Sequence, residues 1–127
     1  MPPLFAIFFC SFNINATEEK WKYYVTGEDH TRHYYNSESV VYTSGNIVRV
    51  WEKTTTSEAS ASLTKELKTF REMDCSKRGY RVLEMRAKYI DGTEKEQCFP
   101  NPKWMDIPQN MWIHTLYEIV CKKKPSG

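Results

Sequence analysis

Tyr80-Arg-Val-Leu-Glu-Met-Arg-Ala-Lys-Tyr-Ile-Asp-Gly-Thr-Glu-Lys-Glu-Gln-Cys-Phe99 decides the fold. In an extended chain Leu83, Met85, Ala87 and Tyr89 fall on one side and Glu84, Arg86 and Lys88 on the other. That alternation is the pattern of a half-buried antiparallel strand with one wet face. The following Asp91-Gly92 signals a hairpin, and its loop length sets the register. A two-residue Asp-Gly loop would put Lys88 opposite Lys95, a like-charge clash. A three-residue loop, Ile90-Asp-Gly92 with Gly92 left-handed, puts Lys88 opposite Glu94, Arg86 opposite Glu96 and Leu83 opposite Phe99. The three-residue register is therefore expected. It sets Cys98 opposite Glu84 on the solvated side.

Upstream, Ile47-Val-Arg-Val-Trp-Glu-Lys53 is β-branched or aromatic at four of seven positions and reads as a central strand. Trp21 to Val25, Arg32 to Tyr35 and Val40-Val41 are further strands, punctuated by Gly27 and Gly45. Thr54 to Thr64 (TTTSEASASLT) holds one sizeable apolar side chain, Leu63, and reads as a mobile polar loop. Lys65 to Phe70 reads as strand, because Lys77-Arg-Gly79 beyond Cys75 is a hairpin turn that needs a partner. Downstream, Pro100 and Pro102 end the ladder. Between Asn110 and Val120, Trp112 or Ile113, Leu116, Tyr117 and Val120 recur at helical spacing. The expected fold is α+β: five or six antiparallel strands in meander order with one C-terminal helix packed on a face.

Met1 to Ala16 is apolar and uncharged, whereas the chain from Thr17 onward is dense in charge. The break reads as a signal peptide over residues 1–16 followed by one domain over 17–127. The apolar run is shorter than the roughly 20 residues of a membrane-spanning helix, so no transmembrane segment is expected. The net charge of +2 is mild and both signs are interleaved, which excludes the basic stripe nucleic acid demands. Removing the leader takes Cys10 with it and leaves Cys75, Cys98 and Cys121, an odd set. Closing the loop from Cys75 to Cys121 would join the helix end to a strand end. Cys98, on the wet side of its strand, is then the expected free thiol. No Cys-x-x-Cys or His-x-x-x-His spacing occurs, and His30, His33 and His114 are not grouped with the cysteines, so no metal or cofactor is expected.

Arg49, Trp51 and Lys53 share one strand face, and Arg86 and Lys88 lie on a solvated one. These five are the candidate binding residues for a protein partner. The competing reading packs Trp51 under the helix and leaves the cations to solvate an edge. A thiol-dependent enzyme using Cys98, with His114 as base, is the alternative function. Glu84, Glu94 and Glu96 around Cys98 would raise its pKa rather than activate it, and no Gly-x-Ser-x-Gly elbow or glycine-rich phosphate loop is present. No catalytic residue is therefore assigned. An unpaired cysteine in an exported protein also allows a disulfide-linked homodimer.

Across the chain run Trp21-x-Tyr-Tyr24, Tyr34-Tyr-Asn-Ser-Glu-Ser-Val40, Ile47-Val-Arg-Val-Trp-x-Lys53, Glu72-x-Asp-Cys75, Arg81-Val-Leu83, Trp104-x-x-Ile-Pro108 and Val120-Cys121. This ordered set resembles the surface-adhesin protein E-like domains of Gram-negative bacteria. The resemblance implies an antiparallel sheet with a C-terminal helix, export to the periplasm or outer cell surface, and a Cys75 to Cys121 bridge. It further implies an adhesin-like role, with extracellular matrix or another envelope protein as partner. The sequence departs from the family pattern by adding Cys98, by shortening the polar loop at 54–64 and by lacking an obvious lipobox.

Overall fold

The computed structural model describes residues 20–56 and 63–122. The expected signal peptide, 1–16, lies outside the described residues, as do residues 57–62 of the expected polar loop. The elements are β1 (Trp21–Thr26), β2 (Arg32–Asn36), β3 (Val41–Ser44), β4 (Ile47–Thr55), β5 (Thr64–Asp74), β6 (Gly79–Tyr89), β7 (Glu94–Cys98), β8 (Met105–Asp106) and α1 (Trp112–Lys122). The strands pair antiparallel in the order β1-β2-β4-β5-β6-β7, with short β3 beside β4 and β8 beside β6. The expected meander with one terminal helix is the observed fold.

The β6–β7 hairpin has the three-residue register: Lys88 faces Glu94, Arg86 faces Glu96, and Glu84 faces Cys98. Gly92 takes φ +90°, and Phe99 N donates to Leu83 O at 3.0 Å. Avoidance of the Lys88–Lys95 clash was thus a sufficient guide to register.

Two expectations are corrected. Thr54 and Thr55 belong to β4, opposite Leu67 and Glu66, and Thr64 opens β5 opposite Tyr89. The ladder satisfies their backbone groups, so the loop is shorter at both ends than its composition suggests. In the turn before β6, Arg78 takes the left-handed conformation (φ 54°). Lastly, Phe70 pairs with Glu84 but Arg71 pairs with Val82, so Leu83 is the extra residue of a β-bulge. The bulge sends Leu83 to a cluster with Trp51 and Phe70, away from the face of Met85 and Ala87.

The main core lies between the sheet and α1. Val48 and Val50 of β4, Met73 of β5, Tyr35 of β2 and Ile107 meet Ile113, Leu116 and Val120 of the helix. Those three helical positions are spaced i, i+3, i+7, one stripe facing the sheet. Tyr42 Oη donates to Val120 O (2.6 Å), and Tyr117 Oη donates to Cys75 O (2.9 Å). The Cys75–Cys121 disulfide, Cα to Cα 5.5 Å, closes the arrangement by joining the end of α1 to the residue after β5. Replacing both cysteines by serine should lower stability by about 4 kcal/mol, since the bridge spans 46 residues of chain. Urea unfolding of the Cys75→Ser/Cys121→Ser double variant against the unreduced parent measures this.

Candidate functional site

Strand alternation divides the long-strand side chains between two faces. Val48, Val50 and Glu52 of β4 sit with Met73, Arg71 and Thr69 of β5 under α1. On the opposite face Arg49, Trp51 and Lys53 stand beside Glu72, Phe70 and Lys68, and the last two stand beside Glu84 and Arg86 of β6. Lys88 continues that row opposite Glu66. All five sequence-predicted binding residues therefore lie on one face, the face away from the helix.

Their environments differ. Trp51 is 2 % exposed, ringed by Phe70, Leu83 and Trp21, so it supports the face rather than presenting itself. The expectation that it packs under the helix is corrected as well: the odd-numbered positions of β4 point the other way. Arg86 lies over the Trp51 ring at 5.1 Å and ion-pairs with both Glu84 and Glu96, the latter at 3.0 Å. Lys53 Nζ sits 4.9 Å from the Trp21 ring and 5.0 Å from the Tyr34 ring. Arg49 and Arg81 each place Nε 2.7 Å from the same carboxylate, that of Glu72, and Arg81 also stacks at 4.4 Å on Trp104. Arg49, Arg81 and Arg86 keep about a third of their side-chain surface in solvent, whereas Glu72 and Glu84 are buried.

A carboxylate below Arg49, Arg81 and Arg86, and a ring beside the latter two, hold these guanidiniums in place without neutralising the whole face. Sequence reading did not assign Glu72, Glu84 and Arg81 to this face; the signal available was the Glu72–Arg81 pair across the β5–β6 hairpin. Glu84 was placed on the wet side, yet the bulge at Leu83 buries it completely. Burial raises its pKa; Arg86 pulls it back down, and the neighbouring Glu96 carboxyl pushes it up again, leaving it above the usual carboxylate range.

The helix-side face carries a second polar group that the sequence did not reveal. Glu52, 1 % exposed, accepts from Tyr24 Oη (2.6 Å), His33 Nδ1 (3.0 Å) and Arg71 Nε (2.9 Å). Burial alone would raise the Glu52 pKa, but the Arg71 charge with the His33 and Tyr24 bonds outweighs it and holds the group below its ordinary value. The same burial, with the Glu52 charge, pushes the Tyr24 phenol far up. Trp112 stacks on His33 with centroids 4.2 Å apart and lies 5.1 Å from the Arg71 guanidinium. Above these residues opens a cleft of about 860 Å³ between the β1–β2 hairpin and the start of α1.

Cys98 does face Glu84, as the register required, but its sulfur is in a disulfide, and among the described residues no cysteine is free. A disulfide-bonded Cys98 supplies neither the thiolate of an enzyme nor a crosslink to a second chain. His114 lies on α1 near Tyr117 and Glu118, on the helix side of the sheet. Among the described residues no group of His, Cys, Asp and Glu has metal-binding geometry, and no helix is long and apolar enough to cross a membrane.

The family described as surface-adhesin protein E matches residues 21–122. No curated protein matches the sequence. Among solved structures, crystal form II of Haemophilus influenzae protein E superposes with a TM-score of 0.59 at 10% identity, covering 84% of this chain and 91% of that one. A second structure of Haemophilus influenzae protein E gives 0.57 at 12% identity, covering 84% and 89%. Protein E from non-typeable Haemophilus influenzae gives 0.56 at 11%, covering 84% and 79%. At these identities the likeness is one of fold.

Glu52→Gln should cost about 3–5 kcal/mol at neutral pH, because it leaves Arg71 buried without its counter-charge. A lowered folded pKa means that this stabilisation is present above the ordinary carboxylate pKa and is lost as pH falls through the folded one, so parent and variant should converge in acid. Denaturant titrations of both from pH 7 to pH 3 report it. Glu84 has the opposite sign. Its raised pKa favours the folded state at low pH and penalises it as pH rises through the folded value. Glu84→Gln should therefore melt above the parent at pH 7, with the gap closing towards pH 4; a gap independent of pH would contradict the assignment.

Proposed function

The chain belongs to the surface-adhesin protein E family, and from that membership we propose that it is an exported, non-catalytic binding domain of the cell envelope that holds a protein partner on the sheet face opposite α1. The observation that carries this reading is the row of cations on that face. Arg49, Arg81 and Arg86 are held by buried carboxylates, and Lys53 lies against Trp21 and Tyr34. Cations fixed in position lose less conformational entropy on docking than free ones, and partly exposed guanidiniums beside aromatic rings are a composition that interfaces favour. The partner this face fits is an acidic protein surface, with extracellular matrix or another envelope protein as the source. Adhesion to matrix places the domain at the outer surface; a partner in the envelope places it in the periplasm.

Binding by such a face should weaken steeply with salt, because the charges at its rim are screened within about 8 Å at physiological ionic strength. On immobilised extracellular-matrix extract, a variant carrying Arg49→Gln, Lys53→Gln and Lys88→Gln should lose at least tenfold in affinity while its thermal melt stays close to the parent's. Undiminished binding by a folded variant would remove this face from consideration.

A further inference from the structure

Across the strands, the sheet face opposite α1 carries one line of side chains in register. Tyr23 faces Tyr34, Tyr34 faces Lys53, Lys53 faces Lys68 and Lys68 faces Arg86. Directly opposed residues of an antiparallel pair project to the same side of the sheet, so these five form a straight row over β1, β2, β4, β5 and β6. With neighbouring strands about 4.8 Å apart, the row is about 19 Å long. Three consecutive cations make up its β6 end. Two phenol rings, edge to face with centroids 5.9 Å apart, make up its β1 end.

Like charges directly opposed destabilise a sheet, and this row holds two such pairs in succession, Lys53–Lys68 and Lys68–Arg86. Other rows of the same face alternate sign. Arg49 and Arg81 flank Glu72, and Glu66 and Glu94 flank Lys88. The nearest acids do not interrupt the cations: Glu66, 3.8 Å from Lys68 Nζ, belongs to the next row, Glu84 is buried, and Glu96 stands beyond Arg86 on β7. Lys68 and Arg86 each keep part of their side-chain surface in solvent, and Lys53 is held against Trp21 and Tyr34. Sequences depart from a local pairing rule mainly where function requires it.

We propose that this row takes the sulfated sugar chain of an extracellular-matrix proteoglycan, laid across the strands, with sulfates on Arg86, Lys68 and Lys53 and sugar rings on Tyr34 and Tyr23. The proposal rests on the reading of this face as the binding face and narrows what the matrix partner presents to it. Spacing carries the choice of a sugar chain. A linear pyranose chain advances by about one strand spacing per sugar, so it sets one sugar on each cation in turn. An extended peptide returns to the same side every second residue, about 6.7 Å, and falls out of step with cations about 4.8 Å apart. Cations on three successive strands call for a charge on every sugar, which sulfation supplies and an alternating uronic acid does not. At the other end of the row, the C–H faces of sugars pack on aromatic rings, and Tyr23 is 56 % exposed.

The test is calorimetric titration of the intact chain with heparin oligosaccharides of defined length. Affinity should rise up to about five or six sugars, the length of the row, and then level off. The Lys53→Gln/Lys68→Gln variant should bind at least tenfold more weakly without melting below the parent, because it relieves the opposed charges. Tyr23→Ala should weaken binding several-fold with no change of charge. Lys22→Gln, an equal charge change at a β1 position of the other face, should leave binding as it was. No binding at any length, an equal loss on Lys22→Gln, indifference to Tyr23→Ala, or equally tight binding of polyglutamate of matched charge would each overturn the proposal. On matrix extract, digestion of the sulfated chains with heparinase and chondroitinase should abolish binding. Binding that survives digestion yet is lost in the Arg49→Gln, Lys53→Gln and Lys88→Gln variant would overturn the sugar chain as ligand and leave the face as a surface for acidic protein.

Discussion

The pairing of β4 with β5 is the constraint on which the rest of the molecule depends. It runs unbroken from Ile47 opposite Asp74 to Thr55 opposite Glu66. Because side chains alternate with period two, that single register sends Val48, Val50 and Met73 to the helix and Arg49, Trp51 and Lys53 to the other side. A slip of one residue would bury the cations under α1 and expose the valines. The helix, the disulfide that anchors it and the cationic face are all consequences of this one alignment.

Both faces enclose carboxylates, and each does so differently. Glu52 is surrounded by three donors and stays charged. Glu84 has an oxygen with no hydrogen-bond partner and a second carboxyl beside it, and its pKa is raised. A buried ion pair of this kind adds little net stability over apolar packing of the same volume. What it does here is geometric: Glu52 locks Tyr24, His33 and Arg71 into one arrangement beside the cleft, and Glu72 aligns two arginines on the opposite face.

Most of the fold was legible in the sequence because it depends on local signals. The alternation of Tyr80 to Tyr89, the charge pattern across Asp91-Gly92 and the helical spacing of Ile113, Leu116 and Val120 each point to one conformation without reference to distant residues. The five candidate binding residues were legible to the extent that their strand parity was. Trp51 shows the limit. Parity placed it with Arg49 and Lys53, but whether a large ring at that position meets solvent depends on Trp21, Phe70 and Leu83, which arrive from three other strands.

By itself, then, the sequence determined the strand periodicity, the β6–β7 register, the terminal helix and the pairing of Cys75 with Cys121, because each is set by neighbouring side chains or by a match to a family pattern. Tertiary structure alone decided the bulge at Leu83, the burial of Glu84, the Glu52 cluster and the bonded state of Cys98. A bulge is one residue of slack absorbed between two long strands. Burial of a charge, likewise, is settled only when partners from distant positions converge on it, and neither leaves a mark in the spacing of the residues involved.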